Sequence, residues 1–271
     1  MNKPDPSPRR LKAGQAFTSI ELLVVIAMLA VLSSIFFSAL ARTKEKDIRV
    51  VCLNNEKQLY TSLQIYCNDN ADKLPLLQGV GSWPWDTPTS VTTAMLANGC
   101  VKKTFYCPST APRFTDQQNW ATPNSLWNYG GTGFSIVGYT FALSGSSSVI
   151  ASQYQNKTIL GEFHTVPPGL TVADSPATRE LIPDVMLSTG NILPASSADN
   201  FSSVFGGFTQ NGFAYPHLSA HLGKGQVPAG ANIAYKDGHV QWKKFDASTA
   251  SATANPAKVR TNPGPSPYFW W

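Results

Sequence analysis

Residues 16–27 of the chain read AFTSIELLVVIA, and they begin the feature that decides the fold. Glu21 is the only charged residue in an apolar run that continues to about Leu40. From Leu22 onward the run has about 19 residues, or roughly 28 Å of helix, against a hydrocarbon core of about 30 Å. The sequence therefore predicts a membrane-spanning helix. A charge inside such a helix calls for a functional explanation, because it is costly unless it is paired.

Three interpretations compete for this segment, and all three include a basic flank formed by Lys3, Arg9, Arg10 and Lys12. A cleavable secretory signal fits the flank and the small residues at 39–41, but the apolar run is longer than a signal usually has. A plain signal anchor explains the flank and the length but not Glu21. A short leader, removed just ahead of Phe17, explains all three features.

The third interpretation carries a resemblance to a known family. The stretch is similar to the N-terminus of type IV pilins and type II secretion pseudopilins, which has the form G/A-F-T-x-I-E-L-L-V-V-I-A. The resemblance implies that prepilin peptidase cuts between Ala16 and Phe17 and that the new amine is methylated, although Ala16 stands where Gly is usual. It also implies that Glu21 pairs with the Phe17 amine of a neighbouring subunit during assembly. The alternative is that Glu21 lies at headgroup level, favoured by the helix dipole.

Later landmarks resemble one branch of the same family. They read CLNNEKQL at 52–59, YCNDN at 66–70, LP at 74–75, FYCPS at 105–109, and His221 followed by ANIAYKDGHV at 231–240. Residues 110–215 match none of the family's landmarks. The resemblance therefore covers the two ends of the chain and leaves its middle unassigned.

The expected fold class is α+β. Past the apolar run, apolar residues recur at helical spacing at Ile48, Cys52, Leu59, Leu63 and Tyr66, so one helix is predicted from Phe17 to about Asn68. The family packs the second half of such a helix on a small antiparallel β-sheet head. The predicted organisation is a basic leader (1–16), a transmembrane and assembly helix (17–41), an amphipathic extension (42–73), an extracytoplasmic α+β head (74–246) and a flexible Pro-rich tail with an aromatic end (247–271).

Local patterns predict some elements of the head. Residues 89–97 favour a short helix, and 105–108, 137–143 and 158–163 favour strands. The clearest hairpin has strands at 231–235 and 239–245, because Asp237 and Gly238 between them supply a tight turn.

Charge and motifs limit the function. The formal net charge is +5, and loss of the leader would leave +2, so a nucleic-acid partner has no electrostatic basis. No nucleophile elbow, phosphate-binding loop or paired-carboxylate motif is present, and we expect no enzyme.

The cysteines and histidines leave several readings open. Cys52 and Cys67 lie on the predicted helix and are too far apart to bridge each other. Cys100 and Cys107 could close a small loop as a disulfide, or each could be a buried thiol. Glu162, His221 and Asp237 could form a metal site, or they could be ordinary strand and turn residues. No cofactor is expected, with calcium as the candidate if there is one.

The sequence as a whole predicts a non-enzymatic structural subunit of a type II secretion or type IV pilus-like assembly. It would cross the cell inner membrane once, with the leader cytoplasmic and the head periplasmic. Its expected partners are prepilin peptidase, homologous pilin-like subunits, an inner-membrane assembly platform and the lipid bilayer. The alternative is a membrane-tethered domain that binds a glycan or a metal and does not polymerise. The chain's 7 tryptophans suggest it, because exposed tryptophans stack on sugars.

Overall fold

The architecture comes from a computed structural model, which describes residues 18–77, 83, 85–111, 113–131, 133–145, 150–161, 163–166, 170–173, 175–189, 199–210, 213–246 and 268–270. It is α+β, with helices and small antiparallel sheets. The described residues fall into two units, divided between Glu45 and Lys46. The predicted leader lies outside the described residues.

Helix α1 extends over Ser19–Asp69, close to the predicted bounds. In the first unit its apolar side chains are exposed, from 43% at Val24 to 71% at Ile20. Within the part of the chain that the structure describes, no helix combines the length and apolarity needed to cross a membrane. The predicted span 17–41 includes Phe17 and side chains outside that part, and it stays a prediction.

From Lys46 onward, α1 buries one face in the second unit. Cys52, Leu59 and Leu63 are fully buried in the core, and Ile48 and Tyr66 pack against it. The helical spacing in the sequence therefore identified this face correctly. Hydrophobic burial of this stripe holds the second half of α1 on the head.

The head contains short elements. They are β1 (Asp86–Pro88), α2 (Thr89–Ala97), β2 (Phe134–Ile136), β3 (Phe163–Val166), β4 (Leu170–Ala173), β5 (Glu180–Pro183), β6 (Leu187–Ser188), α3 (Asp199–Ser202), β7 (Val204–Gln210), β8 (Phe213–His217), β9 (Gly230–Tyr235), β10 (Val240–Lys244) and β11 (Tyr268–Phe269). The sheet that organises the site has the order β10-β9-β5, and the other pairs are β1-β2, β3-β4, β7-β8 and β6-β11, all antiparallel. The predicted helix at 89–97 and the predicted hairpin, now β9 and β10, are both confirmed.

Three predicted strands are wrong. At 158–163 the described residues hold only an isolated bridge at Thr158, and strand β3 begins at Phe163. Residues Lys102–Phe105 form a 3-10 helix, which leaves no strand at 105–108. The segment 137–143 forms only isolated bridges, at Tyr139 and Leu143. This segment is buried, and its backbone N–H groups donate hydrogen bonds to several different segments. For example, Gly138 donates to the carbonyl of Phe105, and Thr140 donates to the carbonyl of Pro183. An apolar run of this kind resembles a strand in sequence although no single partner strand runs beside it.

The predicted flexible tail is also wrong at its aromatic end. Residues 247–267 lie outside the described part, but Tyr268 and Phe269 pair with Ser188 and Leu187. Trp270 is fully buried, and its Nε1 donates a hydrogen bond of 2.8 Å to Oγ of Ser188. Burial of large aromatic surface outweighs the entropy that favours a free terminus.

Candidate functional site

The predicted processing residues Ala16 and Phe17 lie outside the described residues. Glu21 is described, and it forms a reciprocal cap with Thr18 at the start of α1. Its Oε2 accepts hydrogen bonds from the backbone N of Thr18 at 2.9 Å and from Oγ1 of Thr18 at 2.7 Å. The N–H of Glu21 in turn donates to Oγ1 of Thr18 at 3.3 Å. Glu21 is exposed.

A second group of polar side chains is buried between the second half of α1 and the head. Its members, which we call the buried cluster, are Cys52, Cys107, Asp184 and His221. Their four candidate ligand atoms all lie within 4.8 Å of one another, and each residue is at most 1% exposed. Each comes from a different segment: α1, the turn after Lys102–Phe105, the residue after β5, and the loop after β8.

Cys52 and Cys107 form a disulfide, with their Cα atoms 5.5 Å apart. The predicted pairing of Cys100 with Cys107 is therefore wrong. Cys100 is a buried free thiol, as is Cys67. The sequence spacing of Cys100 and Cys107 suggested a local loop, but Cys107 instead faces α1. Burial raises the pKa of the Cys67 thiol to about 11 and also raises the pKa of the Cys100 thiol.

Asp184 and His221 are in direct contact. Nε2 of His221 lies 3.2 Å from Oδ2 of Asp184 and 3.5 Å from Sγ of Cys107. Oδ2 of Asp184 also accepts a hydrogen bond of 2.8 Å from the backbone N of Asn232. This links the cluster to β9, the first strand of the hairpin.

The backbone of His221 is held in an uncommon conformation. Its φ is 51°, in the left-handed region that non-glycine residues seldom adopt. Its N–H donates to Oγ of Ser109 at 3.0 Å, and that Oγ lies 2.9 Å from Sγ of Cys107. Such strained residues persist where the surrounding structure fixes them, and they concentrate at functional sites. The FYCPS landmark thus positions both Cys107 and the histidine.

Trp242 and Arg49 form one wall of the cluster. The ring of Trp242 meets the His221 ring edge-on at 5.1 Å, and the guanidinium of Arg49 stacks over Trp242 at 3.9 Å. The carbonyl of Arg49 also accepts a hydrogen bond from Nδ2 of Asn232. Trp242, on β10, therefore packs on the histidine instead of presenting its face to solvent.

Glu56 lies one turn after Cys52 on the buried face of α1. It is fully buried, and among the described residues neither of its carboxylate oxygens has a hydrogen-bond partner. Burial raises its pKa well above the usual range, and the charge of Asp184 raises it further. The pKa of Tyr139 is raised in the same way by burial, Asp184 and Glu56. The carboxyl groups of Glu56 and Asp184 are thus buried close to each other.

The predicted metal set of Glu162, His221 and Asp237 is not what the structure brings together. Glu162 lies outside the described residues. Oδ1 of Asp237 accepts hydrogen bonds from the N–H of His239 at 3.1 Å and from its Nδ1 at 2.6 Å, so Asp237 serves the hairpin turn. His221 belongs to the buried cluster. Asp237 is therefore a turn residue, which was the alternative interpretation of the sequence, and its predicted role in a metal site is wrong.

Sequence reasoning missed Cys52, Glu56 and Asp184 as site residues. Glu56 could have been found, because helical spacing places it between Cys52 and Leu59 on the apolar face. Asp184 follows β5 in the unassigned middle of the chain and has no motif around it. With the disulfide reduced, a cluster of two thiolates, an imidazole and a carboxylate has the ligand types that hold a borderline-soft divalent cation such as Zn²⁺.

Comparison of the chain with family models, with curated proteins and with solved structures found no match.

Proposed function

We propose that the chain is a non-enzymatic, membrane-anchored subunit of a pilus-like or pseudopilus assembly. Prepilin peptidase processes it before Phe17, and it is then methylated. The observation that carries the proposal is the division of α1 into two parts with different surroundings. From Lys46 one face is buried in the head, whereas the preceding apolar side chains from Ile20 to Leu32 are exposed. A continuous apolar surface of this size calls for a bilayer or for neighbouring subunits.

Glu21 supports the same proposal. It is the only charge of the apolar segment and stands at its start, where Thr18 fixes its carboxylate. In an assembled bundle this carboxylate pairs with the Phe17 amine of a neighbour, which offsets the cost of burying it and sets the register between subunits.

The aromatic residues favour a structural head over a glycan-binding one. Trp85, Trp127 and Trp270 are buried, and Trp242 is half-buried against His221. Tryptophans that fill a core have no face left for a sugar ring.

The test measures polymer formation and membrane insertion separately in cells that supply the peptidase and the assembly platform. Glu21→Ala should abolish polymer while insertion and cleavage continue. Glu21→Gln retains the ability to cap the helix but not the charge, and it should also abolish polymer. Thr18→Ala is the matched control, because it removes the hydroxyl contacts to Glu21 and leaves the charge.

Polymer that forms normally with Glu21→Gln would contradict the proposed ion pair. A wild-type chain that is processed and inserted but never associates with other subunits would instead support a tethered, non-polymerising domain.

A further inference from the structure

We propose that the reduced form of this protein binds one Zn²⁺ ion through Cys52, Cys107, Asp184 and His221, and that the Cys52–Cys107 disulfide and the bound ion exclude one another. The proposal is independent of pilus assembly, because it concerns only the second unit of the chain. It has three supports: the donor set, the distances and the closed surroundings.

The donor set suits zinc. Thiolate sulfur, imidazole nitrogen and carboxylate oxygen are the three ligand types that zinc takes, and four protein ligands are the rule in structural sites. Hard cations such as calcium prefer sites built only from oxygen, so the two sulfurs argue against them. A divalent cation would also offset the negative charge that the two thiolates and Asp184 bring into a buried volume.

The distances fit a tetrahedron. With metal–ligand bonds of about 2.0–2.3 Å, the edges between ligand atoms are roughly 3.3–3.8 Å. Nε2 of His221 lies 3.2 Å from Oδ2 of Asp184 and 3.5 Å from Sγ of Cys107. Two edges are therefore already near their required lengths. Breaking the bond between the sulfurs lets Cys52 take the fourth corner, and the Cα separation of 5.5 Å leaves room for side-chain rotation.

The surroundings hold the ligands in place. The left-handed backbone of His221 and the hydrogen bond from its N–H to Oγ of Ser109 fix the position of the residue, with Nε2 towards the other ligand atoms. Oδ2 of Asp184 is fixed by the N–H of Asn232. Supporting contacts of this type orient metal ligands in known sites. Cys107 and Asn55 also line a cavity of about 350 Å³, so the site lies beside this cavity.

Zinc binding by the reduced chain and zinc release on oxidation both conserve atoms, electrons and protons. Binding converts two thiols to thiolates and releases two protons to solvent, while His221 binds as neutral imidazole and Asp184 as carboxylate. An organic disulfide oxidises the two thiolates to the protein disulfide, takes up two electrons and two protons to become two thiols, and releases Zn²⁺. The sulfurs of the resulting disulfide are no longer thiolate ligands.

The experiment uses the full chain in detergent, prepared in the disulfide form and after reduction with a phosphine. Co²⁺ is added as the spectroscopic probe and is then displaced by Zn²⁺. We expect the reduced chain to bind one Co²⁺ with thiolate-to-cobalt charge-transfer bands and intense visible bands of a tetrahedral ion, and to release the ion to Zn²⁺. The disulfide form of the same sequence should show none of these bands.

Matched variants assign the ligands. Cys67→Ser with Cys100→Ser removes the two other thiols and should leave the spectrum unchanged. Cys52→Ser with Cys107→Ser should abolish the charge-transfer bands. His221→Gln and Asp184→Asn should each weaken zinc binding by at least about tenfold, since even residues that only support a ligand contribute that much.

The proposal is overturned if the reduced wild-type chain binds no cobalt, or binds it without thiolate charge transfer. It is also overturned if the disulfide form binds equally well, or if circular dichroism finds the reduced chain unfolded with and without zinc. Recovery of the folded spectrum on adding zinc to an unfolded reduced chain supports it. Because wild-type protein carries the comparison, a variant that fails to fold does not affect the outcome.

Discussion

Gly238 lies directly against the ring of Tyr60, which ties the β9–β10 turn to helix α1. A Cβ atom on Gly238 would lie 2.5 Å from Cε1 of Tyr60, and the residue has a φ of 86°. The hydroxyl of Tyr60 also donates a hydrogen bond of 3.0 Å to the carbonyl of Lys236 in the same turn. The Asp-Gly of the DGHV landmark therefore serves the fold twice, through the turn conformation and through close packing on α1.

Gly238→Ala should lower the free energy of unfolding by roughly 2–4 kcal/mol, because it adds a clash with Tyr60 to the cost of a left-handed alanine. Denaturant unfolding of the full chain in detergent measures this. The control is Gly225→Ala, which has a φ of 74° and no atom within 4 Å of the added Cβ. Gly225→Ala should lower the free energy of unfolding by only about 1–2 kcal/mol. Equal losses in the two variants would contradict the packing role.

The Cys52–Cys107 disulfide should be the main covalent stabiliser. It closes a loop with a sequence separation of 55 residues. Loop-closure entropy then predicts that Cys52→Ser with Cys107→Ser lowers the free energy of unfolding by about 4 kcal/mol. Peptide mapping without reduction should find this pair and no other. A mapped Cys100–Cys107 bridge, or an equal loss in the Cys67→Ser, Cys100→Ser protein, would contradict the pairing.

Glu56 should make the head less stable as pH rises. Its native pKa lies well above the value in the unfolded chain, because burial and Asp184 disfavour the charged form. Between those two pKa values the native state holds a proton that the unfolded state has lost. The contribution of Glu56 to the free energy of unfolding is therefore complete below about pH 4.5. Above that pH it falls by up to about 1.4 kcal/mol per pH unit.

Glu56→Gln, examined with the disulfide intact, should remove this slope and stabilise the protein at neutral pH. Asp116→Asn is the control, since Asp116 is an exposed carboxylate. It should leave the pH profile nearly unchanged. A Glu56→Gln profile that is parallel to wild type would show that Glu56 is ionised in the native state.

Trp270 should anchor the C-terminal end of the chain. It is fully buried and hydrogen-bonded to Ser188. Trp270→Ala should therefore lower the free energy of unfolding by about 3–5 kcal/mol. Ser188→Ala removes only the partner of the indole N–H and should cost about 1–3 kcal/mol. Thermal unfolding compares the two. A loss below about 1 kcal/mol for Trp270→Ala would indicate a free tail.

The elements that the sequence predicted correctly are those with local signals. Helix α1 follows from the spacing of Cys52, Leu59 and Leu63, and the β9–β10 hairpin follows from Asp237 and Gly238. In each case the residues that specify the element are neighbours in the chain. Glu56 was within reach of the same reasoning, because an acidic residue on an apolar helix face is unusual.

The buried cluster could not be predicted, because its members are distant in the chain. Cys52 and Asp184 meet only once α1 has packed on β5 and β9, and no motif surrounds Asp184. The same holds for Trp270, whose contact with Ser188 links the C-terminal strand to the middle of the chain. Local patterns carry no information about such pairings.

The most direct test of the central claim is mass spectrometry of the N-terminus of the protein, purified from membranes of cells that contain prepilin peptidase. We predict that the chain starts at Phe17 and carries a methyl group on its amine. An intact Met1, or a start at Arg42, would contradict the assignment of the chain as a pilin-like subunit.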